Sequence, residues 1–151
     1  MDAATARSIA HSSHPDQRTR AGSLVTEHVE RVAASVAAEA RSVAFLHDVL
    51  ERSDVGVETL VGQGLTPLEL EALRLLTREA AESYELYILR IAHAPGAAGR
   101  VARTIKLADL DDHLREAPGM VGVPPYAWAR HRLEFARDQR DGPDLRIASR
   151  P

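Results

Sequence analysis

The chain has 151 residues, 44% hydrophobic, 27% charged and 4% aromatic, with a net charge of −3 and no cysteine. That length and mixture suit one globular domain with a sizeable core rather than a disordered chain. They exclude disulfides, thiolate metal sites and cysteine nucleophiles, and give no electrostatic footing for nucleic acid or an anionic membrane as a partner.

In chain order, residues 11–22 mix His, Ser, Pro, Gly and Arg and read as an irregular approach. Val25, Val29, Val32, Val36 and Ala40 recur at helical spacing, which predicts a helix from Leu24 to about Ala40. A second helix is expected over Arg41–Arg52, with Val43, Leu46, Val49 and Leu50 facing inward, broken by Ser53–Gly56. A short helix over Val57–Val61 closes at Gly62 and Gly64. Thr66-Pro67-Leu68-Glu69 has the form of a capped helix start, running to about Thr77.

Tyr84–His93 forms the next helix, ended by Pro95-Gly96, and Ala97 to about Arg115 follows it. Residues 118–125 read as a loop, and Tyr126–Arg140 as a last amphipathic helix carrying Trp128, Leu133 and Phe135. The tail from Asp141 is expected to fray. No segment alternates with period two, so an all-α fold of six to eight helices is expected. No apolar run approaches the roughly 20 residues that span a bilayer, and the N-terminus, with Asp2, lacks an apolar signal core. The expectation is therefore a cytoplasmic protein.

Four positions carry metal-ligand chemistry inside apolar surroundings: His28 in the first helix, the pair His47-Asp48 in the second, and Asp109 in Lys106-Leu107-Ala108-Asp109. Singly, each has an ordinary reading: a half-buried surface histidine, a cap, a salt-bridge partner. Together, two imidazoles and two carboxylates on separate helices balance a divalent cation. Mixed nitrogen and oxygen donors suit manganese first, then iron, cobalt, nickel or zinc. Without an ion, two nearby carboxylates should repel, raising the pKa of Asp48 or Asp109, so Asp48→Ala should stabilise the metal-free chain. Glu51, four residues beyond His47, projects from the same helical face and is a candidate general base. It reads equally as a solvent-facing residue.

The ordered set resembles the HD superfamily of metal-dependent phosphohydrolases, and within it the RelA/SpoT-type hydrolase domain and its small stand-alone relatives. Gly22 stands six residues before His28, with Val32-Ala33 after it. Leu46-His47-Asp48-Val49-Leu50-Glu51-Arg52-Ser53-Asp54 is similar to the family's Leu-His-Asp-x-x-Glu-Asp-x-Asp, and Lys106-Leu107-Ala108-Asp109 to its Lys-Leu-Ala-Asp. Thr77-Arg78 lies where the family has a Thr. The resemblance spans about residues 22–114.

The resemblance implies a single HD-type domain over 1–151, with a core of about 22–137 and flexible ends. It implies hydrolysis of a phosphate ester or pyrophosphate of a nucleotide, as in removal of the 3′-pyrophosphate of guanosine 3′,5′-bis(diphosphate). The partner is then a nucleotide or other phosphorylated small molecule. Arg18 and Arg20 become substrate contacts by position. Three departures stand out: Arg52 in place of the family's Asp, His113 in place of Asn, and Val29 in place of Pro. They leave a second reading, a module that binds a nucleotide or protein partner without turnover; a purely structural helical bundle is a third.

Arg52 reads as a phosphate-binding fork or as a helix C-terminal cation. Lys106, three residues before Asp109, reads as a partner for a carboxylate or for a substrate phosphate. Asp112 and His113 extend the polar rim. Tyr84 and Tyr87 read as core packing, with nucleobase stacking the sharper alternative. Trp128 is expected to anchor the last helix in the core, His93 to be a helix C-terminal cation, and His11, His14 and His131 to be solvated.

Overall fold

The structure is a computed structural model that describes residues 1–117 and 124–141. The regular secondary structure of the described residues is all helix, with one isolated antiparallel bridge between Arg18 and Leu24. The helices are α1 (Ala3–Ser13), α2 (Val25–Ala34), α3 (Arg41–Leu46), α4 (Val49–Arg52), α5 (Val57–Gly62), α6 (Pro67–Leu76), α7 (Tyr84–His93), α8 (Gly96–Glu116) and α9 (Tyr126–Arg140). A 3₁₀ turn, Ala38–Ala40, leads into α3. Counting α3 and α4 as the halves of one interrupted helix gives eight units, so the expected all-α architecture is what the chain adopts. Among the described residues no helix is long and apolar enough to cross a membrane.

α8 is the axle. It packs against α2, α6, α7 and α9, while α1 and α2 pack on α3. Its buried stripe runs Ala98, Ala102, Ile105, Asp109 and Asp112, the four-and-three spacing of a helix face turned to a core. Two carboxylates therefore occupy places where that pattern calls for apolar side chains. In α2, Val25, Val29 and Val32 are fully buried and His28 lies on the same stripe. Each large aliphatic side chain buried in this way stabilises the fold by about 1.5–3 kcal/mol, and that surplus holds the polar groups in place.

Several boundaries differ from the sequence expectation. α1 was not foreseen; Asp2 caps it by accepting from the Thr5 amide at 2.9 Å, and it buries Ala6 and Ala10, so the core begins well before residue 22. α2 stops at Ala34 and the chain re-enters helix only at Arg41, although the valine spacing continues to Val36. The capping box is as expected: Thr66 Oγ1 accepts from the Glu69 amide at 3.3 Å, and Glu69 Oε2 accepts from the Thr66 amide at 2.8 Å. Of the three large apolar residues that α9 carries only Leu133 is buried; Trp128, expected to anchor the helix in the core, is 40% exposed, and Phe135 is 56% exposed. The fraying expected for the tail falls mostly on residues 142–151, and the 118–125 loop mostly on residues 118–123, which lie outside the described residues.

Candidate metal centre

Three chain segments deliver the four expected ligands to one point. His28 comes from the first turn of α2, His47 and Asp48 from the interruption between α3 and α4, and Asp109 from the middle of α8. His47 and Asp48 keep right-handed helical backbone angles while leaving regular helix. Successive helical side chains diverge by roughly 100°, yet Asp48 Oδ1 lies 3.6 Å from His47 Nε2. His28 Nε2 is 3.3 Å from His47 Nε2 and 3.1 Å from Asp109 Oδ1, which is itself 3.7 Å from His47 Nε2. Donors arranged about 2.1 Å from one ion stand roughly 3–3.5 Å apart when adjacent, so these separations match one coordination sphere.

Hydrogen bonding behind the rings fixes which nitrogens face the cluster. His47 Nδ1 donates to the Ala44 carbonyl at 2.7 Å, and His28 Nδ1 donates to Asp112 Oδ2 at 2.8 Å. In the neutral rings both Nε2 lone pairs then point inward and at each other, a repulsion that a shared cation removes. Asp109 Oδ1 is buried and makes no hydrogen bond of good geometry, though three imidazole nitrogens surround it. A buried carboxylate oxygen left this way costs stability unless a cation meets it. The residues present fit a divalent metal ion. His28, His47 and Asp48 form one set of donors within 4.8 Å of one another, and His28, Asp109 and His113 another.

Electrostatics corrects one expectation. The carboxyls of Asp48 and Asp109 were expected to repel, with one pKa raised; both are instead held below the ordinary carboxylate range. Burial opposes this in each case and is the largest single influence, but the His47 and His28 rings with Arg52 together outweigh it for Asp48, and the Lys106 ammonium with the three surrounding imidazoles outweighs it for Asp109. Burial likewise works against a charge on His28, yet Asp109 and Asp112 together raise its pKa to about 9. A proton on His28 thus supplies positive charge to the cluster when no ion does.

The other expected residues divide. Arg18, Arg20, Glu51, Arg52 and Lys106 all line one cleft of about 480 Å³ together with His47, Asp48 and Asp109. Gly22, at φ 95°, closes the turn that folds Arg18 back beside Leu24 and presents Arg18 and Arg20 to the cleft. Glu51 is exposed, and its Oε2 accepts from the Arg78 amide at 3.0 Å. Arg52 pairs with Asp48 Oδ2 at 3.1 Å and with the Arg18 carbonyl at 3.1 Å. Lys106 Nζ donates to Asp109 Oδ2 at 2.6 Å, leaving Oδ1 for the cluster.

Sequence reasoning missed the supporting residues. Asp112, placed at a rim, is buried behind His28 and clamped by Arg31, which donates to both its oxygens at 2.8 and 2.9 Å. His113 brings Nε2 to 3.1 Å from Asp109 Oδ1. The signal was present: 105, 109 and 112 share one face of α8, so Asp112 had to be buried with Asp109. Tyr84 and Tyr126 form an aromatic wall of the cleft with rings 6.3 Å apart; Tyr87 also borders the cleft but is buried, its hydroxyl donating to the Leu76 carbonyl. His14, expected in solvent, is fully buried and donates through Nδ1 to Gln17 Oε1 at 3.2 Å. His11 bonds Glu30 at 2.8 Å, while His93 and His131 are exposed. The chain matches no protein-family model, and no curated protein shows significant similarity to it.

Proposed function

We propose that this chain is a metal-dependent phosphohydrolase of the HD type, acting on a phosphate ester or pyrophosphate bond of a nucleotide such as guanosine 3′,5′-bis(diphosphate). The observation that carries the reading is the convergence of His28, His47, Asp48 and Asp109, the last three of them lining a cleft rich in basic side chains. Arg18, Arg20, Arg52, Arg78 and Lys106 outnumber Asp48, Glu51 and Asp109 among its charged lining residues, on a chain whose net charge is −3. A divalent ion held there would supply a Lewis acid for water activation and phosphoryl polarisation at neutral pH.

The chain's own groups do the rest. Arg18, Arg20 and Arg78 stand where they can take up phosphate charge, and planar guanidinium groups suit bidentate contacts to it. The Lys106 ammonium, raised well above its usual range mainly by Asp109 against the cost of burial, remains a fixed cation beside the reacting phosphate. Tyr84 and Tyr126 offer a surface against which a nucleobase can stack. Glu51 is on the cleft wall one helical turn beyond His47, held by the Arg78 amide through one oxygen and free to accept a proton from the attacking water through the other.

The test is a screen of nucleotide phosphates with manganese, iron, cobalt or zinc. Turnover is expected, with Glu51→Gln lowering kcat about 10²–10⁴-fold while bound metal stays unchanged. Turnover as fast in Glu51→Gln as in the native chain would remove Glu51 from the mechanism. Arg52, seated on Asp48, favours the second reading, a nucleotide-binding module without turnover. That reading takes over if nucleotides bind and none is hydrolysed.

A further inference from the structure

We propose that His113 is a fifth protein donor to the ion through Nε2, making the centre a site of three imidazoles and two carboxylates. The proposal rests on the metal-centre reading and deepens it. His113 lies one helical turn beyond Asp109 on α8, so both side chains leave the same face. Its Nε2 is 3.1 Å from Asp109 Oδ1, the separation that His28 Nε2 keeps from the same atom. That oxygen is buried without a hydrogen bond, so neither ring is there as an ordinary donor to it.

The ring is also held. It stacks on His28 at 4.8 Å between centroids and 23° between planes, and on Tyr126 at 5.0 Å and 11°. A ring packed on both faces keeps its edge aimed in one direction, which is the preorganisation a ligand needs. The two donor triads share His28: one continues through His47 and Asp48, the other through Asp109 and His113.

Chemical consequences follow from the donor count. Five protein donors would leave a six-coordinate ion one position for an oxygen of substrate or water. Three imidazoles shift preference toward cobalt, nickel and zinc over manganese and magnesium. Nothing on the carboxylate side offsets that shift, because Asp109 already gives one oxygen to Lys106 and Asp48 one to Arg52.

The experiment compares the native chain with His113→Asn and His113→Gln, both metal-free at the start, by titrating cobalt, zinc and manganese. Metal-free melting first identifies a variant that keeps its fold. Gln carries an N–H at about the reach of the His113 Nε2 that stands 3.1 Å from Asp109 Oδ1, so a purely orienting role is rescued by Gln and a ligand role is not. Cobalt and zinc affinity should fall by about tenfold or more, manganese affinity less, and the cobalt-loaded native chain should show three hyperfine-shifted imidazole N–H signals against two in the variants. Affinities within about twofold of native and an unchanged set of signals overturn the assignment of His113 while leaving the four-ligand centre standing. Failure of the native chain to bind any of the three metals overturns both.

Discussion

Two stretches of α8, one around Arg103 and one around Asp109, bury charge equally and treat it oppositely. Arg103 is 1% exposed and Asp109 2%. Around Arg103 every donor nitrogen is used: Nε and Nη2 each reach Asp141 at 2.8 Å, and Nη1 reaches the Ala94 carbonyl at 2.6 Å and the Ile91 carbonyl at 3.2 Å. Around Asp109, less than two turns on, a carboxylate oxygen sits among three imidazoles with no hydrogen bond. The first stretch is a closed network that ties α7 and α9 to α8. The second is an arrangement whose donors outnumber its internal partners. Burial therefore does not mark a functional charge; incomplete internal pairing within a convergent set of donors does.

The largest expected effect breaks the closed network. Arg103→Met removes the partner of a carboxylate that is itself 4% exposed and leaves the Ala94 and Ile91 carbonyls without their donor. Stranding one member of a buried pair costs about 3–5 kcal/mol, to be read as a lower denaturation midpoint in urea with chelator present. Metal affinity of the molecules that remain folded should match the native value. A loss under about 1 kcal/mol would mean that the network contributes little beyond packing.

The open arrangement is broken by Asp48→Ala. Metal at a hundred times its Kd adds about 2.7 kcal/mol to the folded state, and the variant should forfeit the corresponding melting shift. Metal-free, it should gain nothing. The folded pKa of Asp48 is depressed, so its ionised form contributes stability above the unfolded pKa, and that contribution is lost only as pH falls through the folded value. At neutral pH its removal therefore lowers stability slightly, the reverse of what carboxylate repulsion alone predicts. Equal metal-induced shifts in native and variant chains would exclude Asp48 as a ligand.

How much of this could be read from the sequence follows from which interactions are local. His28, His47-Asp48 and Asp109 were legible because a titratable residue on an apolar helical stripe is unusual at any single position, and three such stripes reinforce one another. Glu51 and Lys106 were placed by offsets within their own helices, which helix geometry fixes. The partners of those residues were not legible. Asp112 behind His28 and Arg31 behind Asp112 depend on the pairing of α2 with α8, 81 and 84 residues apart in sequence. Arg103 lies on a helix whose sequence shows a cation like any other, and its role appears only when Asp141 docks beside it. Trp128 misled because size suggests a core anchor, whereas α9 turns Ala129, Leu133 and Ala136 inward. α1 escaped notice because its buried face is made of alanine, too small to give a strong periodic signal.

The smallest expected effect sharpens the comparison at the backbone. Gly99, in the first turn of α8, faces Ala94; a Cβ there would stand 2.2 Å from the Ala94 carbonyl oxygen and 2.7 Å from its carbon. That oxygen is the one that accepts the shortest of the Arg103 hydrogen bonds. Gly99→Ala gains roughly 1 kcal/mol of helix propensity, but overpacking against unyielding backbone costs about 1–3 kcal/mol, and displacing the carbonyl weakens the Arg103 bond as well. The cost wins, so the variant should lose about 1–2 kcal/mol in denaturant titrations. Its metal-induced melting shift should stay at the native value, because Asp109 lies nearly three helical turns further along α8, on a segment tied to α2 through the Asp112 bonds to His28 and Arg31. A shift reduced along with stability would show instead that the two stretches are coupled through the helix, and that the closed network sets the geometry of the open one.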